Sequence, residues 1–215
     1  MQRTNGQIET KQRVGRSDRA AQRKDTRALM VRCGIELFTE RGFQATGIDE
    51  IRARVSVPKG SFYHFFESKH AFGMAVVDSY AAYFERKLKR HFDDDSLSAL
   101  ERLRSFVEDA KGGMQKFNFQ RGCLIGNLGQ ELGGIDDRFR DKLELVLQSW
   151  QRMTAACLKS AVDADELSSQ TDCDALAEFF WIGWEGAILR AKLTRNNEPL
   201  DRFFSMFLST ASAVA

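Results

Sequence analysis

Leu29, Val31, Ile35, Leu37 and Phe38 return to one face of the chain at helical spacing, and Gly42 in "ERGF" closes the run as a C-cap. The segment from Asp25 therefore predicts a first helix of about four to five turns. In "TGIDEIRARV" a second, short apolar stripe runs through Ile48, Ile51 and Val55, with Thr46 placed as its N-cap and Asp49 three residues later. Pro58 disfavours helix at Val57 and fits the first turn of a third helix, about 58–66, too short to stand without packing on the other two. Three short helices with a tight turn between the second and third form a helix-turn-helix arrangement. Beyond it the periodicity predicts longer helices at about 68–91, 96–117, 121–132, 136–163, 172–194 and 199–213, separated by "DDD", "GG", "LSSQ" and "NNEP". With two prolines and no sustained β-branched alternation, the expected fold is all-α.

Composition narrows the class. At 215 residues and 43% apolar, the chain can bury a proper core. No apolar run approaches the roughly 20 residues that cross a bilayer, and the N-terminus lacks an apolar leader core, so a cytoplasmic protein without membrane contact is expected. Cys33, Cys123, Cys157 and Cys173 lie far apart without a CxxC pair, and there are three histidines, which points to free thiols and to neither a disulfide framework, a metal site nor a cofactor. The charge is uneven: residues 1–69 hold 14 Lys and Arg against 8 Asp and Glu, while the rest is mildly acidic. A basic front suits a polyanion. Residues 1–22, rich in Arg, Gln and Gly and without periodicity, read as a flexible basic tail that serves solubility or reaches along phosphates.

The chemistry concentrates in "VPKGSFYHFFESKHAF". A helix from Pro58 exposes Lys59, Ser61, Tyr63 and His64 on its first turns and turns Phe62, Phe65 and Phe66 inward. Free N–H groups at such a helix start favour phosphate oxygens, Gly60 lets a groove wall approach, and Lys69 can add a phosphate contact from the side. For His64 a polar tip packed on the neighbouring helix is the alternative. Together with "LFTERGF" and "TGIDEIRARV", this stretch resembles the DNA-binding domain of the TetR family of bacterial transcriptional repressors over about residues 24–72. The resemblance implies that Thr46 caps the second helix against a phosphate, that Tyr63 and His64 touch the DNA backbone from the recognition helix beside Lys59 and Ser61, and that Lys69 and Arg27 brace the flanks. It divides the chain into the tail, a helix-turn-helix domain at 23–70 and a helical effector-binding and dimerisation domain at 71–215.

"RGCLIGNLGQEL" and "AKLTRNNEPL" are similar to the NemR/AcuR-like, electrophile- or acrylate-responsive branch of that family. A short recognition helix covers few base pairs, so two half-sites of a near-palindromic double-stranded operator call for a homodimer. Residues 175–193, with Phe179, Phe180, Trp181 and Trp184 interleaved with Gly183, Gly186 and Ala187, together with 199–213, suit half of an intermolecular four-helix bundle. The resemblance also implies an effector pocket among helices from about 96 to 190. The residues offered for it are Phe106, Met114, Phe117, Asn127, Trp150, Trp181, Trp184 and Glu185, although most such rings are core. Cys123 opens a predicted helix just after Arg121, a setting that favours thiolate. It is either the reactive cysteine of that branch or a buried inert thiol. Arg121 or Lys192 could meet a short carboxylate. A cysteine enzyme is disfavoured because no histidine falls in the rear half to serve as base. The reading is a ligand-released repressor; a DNA-binding protein without ligand, or an activator, is the alternative.

Overall fold

The computed structural model describes residues 16–58 and 60–213, and every regular element among them is helical. The order is α1 (Arg16–Arg41), α2 (Ile48–Arg54), a 3₁₀ turn (Phe62–His64), α3 (Lys69–Phe92), α4 (Ala99–Lys116), α5 (Leu124–Leu132), α6 (Asp137–Asp163), α7 (Cys173–Thr194) and α8 (Glu198–Ala213). None of the described helices is long and apolar enough to cross a membrane.

The long helices begin where the sequence supplies side-chain acceptors for their free N–H groups. Ser68 caps α3 through Ala71 N at 3.0 Å, Asp136 caps α6 through Phe139 N at 3.0 Å, and Asp172 accepts from both Asp174 and Ala175 at the start of α7. The start of α4 is held from a distance: the Glu166 carboxylate accepts from Ala99 N at 2.8 Å and Leu100 N at 3.1 Å.

Three expectations for the front unit are corrected. First, α1 starts at Arg16, so residues 16–22 belong to a helix and the proposed tail reduces to residues 1–15, which lie outside the described residues. Second, α2 is preceded by Gly47 in extended conformation without a side-chain cap; Thr46 is fully buried and its hydroxyl donates back to Gly42 O at 2.7 Å. Third, the expected third helix condenses to one 3₁₀ turn. Ser61 N bonds Pro58 O, His64 N bonds Ser61 O and Phe65 N bonds Phe62 O, a chain of three-residue closures. Gly60 weakens a longer α-helix by about 1 kcal/mol relative to Ala in an interior position.

The turn keeps its place through rings. Phe62 and Phe66 are buried and meet Phe72 of α3 at 5.4 and 4.9 Å between centroids, while Phe65 is half-buried. In the rear domain α3, α4, α6 and α7 enclose a second set: Phe84 lies 4.2 Å from Trp150, and Trp150 5.0 Å from Trp181. The Trp181 indole N–H donates to Thr154 Oγ1 at 3.0 Å, and that hydroxyl donates to Trp150 O. The polar atoms of this buried layer thus partner each other across α6 and α7, although the Trp150 indole N–H has no partner.

One close approach between the two units lies where α1 crosses α3. A Cβ on Gly34 would lie 2.6 Å from both Phe72 Cζ and Val76 Cγ2. Gly34→Ala therefore overpacks this crossing, and urea unfolding should register a loss of about 1–3 kcal/mol despite the better helix propensity of alanine.

Candidate DNA-binding face and ligand cavity

The 3₁₀ turn presents Tyr63, 62% exposed, and His64 side by side on the outside, with Ser61 half-buried before them and Gly60 open to solvent. A Cβ at Gly60 would meet nothing within 4 Å, so an approaching groove wall finds free space there. Lys59 lies outside the described residues. Arg27 sits with its guanidinium 5.0 Å above the Phe66 ring and Arg23 6.0 Å from Phe65, so the aromatic layer that supports the turn also orients two exposed cations beside it. Two residues expected to face phosphate are engaged elsewhere. Thr46 is buried, as described. The Lys69 ammonium donates to Gln44 O at 3.2 Å and lies 4.6 Å over the Phe43 ring. Burial lowers its pKa, and the charge of Glu131 counters that drop.

Behind this face lies a cavity of about 210 Å³. Its walls come from Ile35 and Thr39 of α1, Tyr80, Tyr83, Phe84 and Lys87 of α3, Met114 and Phe117 at the end of α4, the Arg121–Cys123 segment before α5, and Trp184, Glu185 and Ile188 of α7. Of the expected pocket residues, Met114, Phe117, Arg121, Cys123, Trp184 and Glu185 line it. Phe106, Trp150 and Trp181 do not; each is at most 2% exposed and belongs to the ring layer. Asn127 points the other way and donates to Thr39 O at 3.1 Å. The α3 wall was missed. Its signal was present as Tyr80, Tyr83, Phe84 and Lys87, one helical stripe that mixes rings with a cation.

Cys123 is 5% exposed, and burial pushes its thiol well above the usual range, with the neighbouring Glu185 carboxyl adding to the rise; α5 backbone N–H groups oppose both only in part. Of the two readings of Cys123, burial favours the buried thiol. The expected cation is also occupied: Arg121 binds Glu40 of α1 at 2.7 and 2.9 Å and covers the Phe117 ring at 4.1 Å. Burial pushes Glu185 up to about 7, and its Oε1 has no hydrogen-bond partner. Lys87 pairs with Asp109 at 3.4 Å, and burial lowers its pKa. The cavity is thus a ring-lined space whose inner end carries a thiol and a carboxyl.

The segment carrying Cys123 also grips the front unit. Arg121 holds Glu40, Asn127 holds Thr39 O, and Glu131 accepts from Phe43 N at 2.7 Å and Gln44 N at 2.6 Å. These three contacts span residues 121–131 and seize the end of α1 and the turn after it.

A helix-turn-helix carried on α3 and backed by a cavity whose wall touches α1 is an arrangement with known counterparts. The family model "Bacterial regulatory proteins, tetR family" matches residues 32–73, and "Tetracyclin repressor-like, C-terminal domain" matches residues 99–207. The chain belongs to the TetR family. Within it, the transcriptional regulator AcuR of Cereibacter sphaeroides is 48% identical over 93% of this chain and 91% of its own length. The HTH-type transcriptional repressor NemR of Escherichia coli is 27% identical over 82% of this chain and 89% of its own. The crystal structure of regulatory protein TetR from Rhodobacter sphaeroides superposes with a TM-score of 0.83 at 49% identity, covering 86% of this chain and 97% of that one. The NemR/AcuR-like branch expected from "RGCLIGNLGQEL" is borne out, as is the all-helical TetR architecture. As a TetR-family member the chain is a DNA-binding transcriptional regulator.

The grip on the front unit can be measured without DNA. Glu131→Ala leaves two backbone N–H groups without their acceptor, so the amides of Phe43 and Gln44 should exchange faster with deuterium than in the wild type, and unfolding should become easier by about 1–3 kcal/mol.

Proposed function

We propose that the chain is a cytoplasmic homodimeric repressor that leaves its operator when a small electrophile, or an acrylate-like short acid, enters the cavity. The observation that carries this reading is the double duty of residues 121–131, which wall the cavity at one end and hold α1 and the following turn at the other. A ligand that fits better when this segment moves favours the conformation in which the two recognition turns no longer match both half-sites, and DNA must then weaken ligand binding by the same factor. Cys123 on the wall supports the electrophile, since a reactive double bond in the cavity lies against a sulfur. Lys192, half-buried with its side chain against Gly122 of the cavity wall, offers a cation at that edge for the acid.

DNA contact is assigned to Ser61, Gly60, Tyr63 and His64 on the turn, to Lys59 beside them, and to Arg27 at the flank. Thr46 and Lys69 can join only if their present bonds to Gly42 O and Gln44 O open. Tyr63→Ala should weaken binding to a fragment selected by the wild type by about 1–3 kcal/mol at near-physiological salt while leaving the unfolding midpoint unchanged. Unchanged affinity in an electrophoretic shift titration removes the turn from the interface.

The dimer is assigned to α7 and α8. Phe179, Ile182, Gly186, Leu189 and Leu193 alternate three- and four-residue steps along α7, and the four large members are 47, 66, 42 and 71% exposed. Such a stripe is a seam for a second helix. Gly186 has open space beside it, so a partner can approach there, whereas Gly183 is occupied by the Phe203 ring of its own chain and serves the α7–α8 packing instead. Met206, 62% exposed on α8, extends the apolar surface. Ile182→Glu should convert the dimer to monomer in light scattering at micromolar concentration and lower operator affinity with it, because one recognition turn reads only one half-site.

A further inference from the structure

Cys123 and Glu185 both line the cavity, and the Glu185 carboxyl lies against the first turn of α5, whose N-cap residue is Cys123. The arrangement is unfavourable for a sulfur nucleophile on its own, because burial and the carboxyl both hold the thiol protonated, and the thiolate is the reactive form. It is favourable for a thiol whose proton leaves as the new bond forms, since a carboxylate beside the sulfur can take that proton directly. The second oxygen of Glu185, buried and without a partner, is free to serve a bound molecule.

We infer that Glu185 is the proton relay for covalent capture of α,β-unsaturated carbonyl compounds by Cys123, an inference that rests on the electrophile reading above. The thiol proton passes to the Glu185 carboxylate while sulfur bonds the β-carbon. The carbon–carbon π pair moves toward the carbonyl, and Glu185 returns the proton to the α-carbon. The sum is addition of S–H across the double bond, with Glu185 restored as carboxylate and no oxidant or reductant needed.

The other ionisable groups around the pair are Tyr80, half-exposed Tyr83 and Lys87 from α3 and Arg121 ahead of α5, with Lys192 two turns along α7. Burial raises the Tyr80 hydroxyl well above its usual range, so it stays neutral, Lys87 is paired with Asp109 and Arg121 with Glu40. α1 adds Ile35 and Thr39 to the wall, and α4 adds Ala110, Gly113, Met114 and Phe117, none of them ionisable. Glu185 is therefore the base within reach of the sulfur.

Acrylamide, a small acceptor without charge, tests this on the full-length protein, with the Cys123 adduct followed by peptide mass spectrometry between about pH 5.5 and 9. As pH rises Glu185 loses its proton and becomes a base, so the wild-type rate should climb through an inflection near 7 and level off before the thiol itself ionises. Glu185→Gln should react about 100-fold more slowly at about pH 8, and its residual rate should keep rising with the thiolate fraction. The sign separates the relay from a mere charge effect. A Glu185 that only repels the thiolate makes the glutamine variant faster, and that result overturns the inference. A wild-type rate rising without inflection across the range overturns it too, independently of how the variant folds. Equal rates in the two proteins overturn the relay and leave electrophile capture standing; no Cys123 adduct in the wild type overturns both.

Discussion

The geometry of the molecule turns on a carboxylate that closes a turn far from it in sequence. Gly42 takes a positive φ of 86°, which ends α1 and sends the chain sideways toward α2, and this leaves the N–H groups of Phe43 and Gln44 pointing away from any helix. Glu131 supplies both acceptors. Two further polar contacts join this corner: Thr46 donates to Gly42 O, and Lys69 donates to Gln44 O while covering the Phe43 ring. Hydrogen bonds from backbone to a charged acceptor are among the stronger ones a fold can use, and here two of them fix the angle between a DNA-binding unit and the domain behind it. The helix that provides them also begins at the cavity wall.

That corner was not legible in the sequence, but the helix frame was, because it is local. Ser68, Asp136 and Asp172 announce the starts of α3, α6 and α7 through side-chain caps, and the apolar stripes between them set the helix lengths to within a few residues. The front unit resisted for the same reason. Thr46 has the chemistry of an N-cap, but burial leaves its hydroxyl only Gly42 O, and Gly47 takes the cap position. The stretch from Pro58 to Phe66 carries the rings of a packed helix while Gly60 disfavours the backbone of one. Its rings are buried as expected and its helical length is not reached.

The candidate site was less legible, since its decisive neighbours are distant in the chain. A cysteine at a helix start after an arginine reads as a thiolate by local rules, yet Arg121 is claimed by Glu40, 81 residues away, and the thiol faces Glu185. Burial and a carboxyl outweigh the partial charge of a short helix, whose favourable effect is of the order of 0.3–1 kcal/mol at an exposed end. The rings misled in the opposite direction. Phe106, Trp150 and Trp181 have the composition of a pocket but are so tightly layered that the open space falls one helix over, against the Tyr80–Lys87 stripe.

The Cys123–Glu185 end of the cavity lies close to the contacts that hold α1. The Glu185 carboxyl presses so closely on Gly126 that no Cβ would fit there, and the next residue, Asn127, is the one that holds Thr39 O. A change in the volume, charge or protonation of groups at the Cys123–Glu185 end therefore acts on the first turn of α5 itself, with no intervening layer to absorb it. Packed helices respond to such pressure by shifting as bodies, because close-packed interiors compress little. A shift of α5 cannot leave Glu131 in place at the Gly42 corner while moving Asn127, since both sit on the same rigid helix. The same rigidity that fixes the recognition turn in one orientation thus ties that orientation to the wall of a space of about 210 Å³.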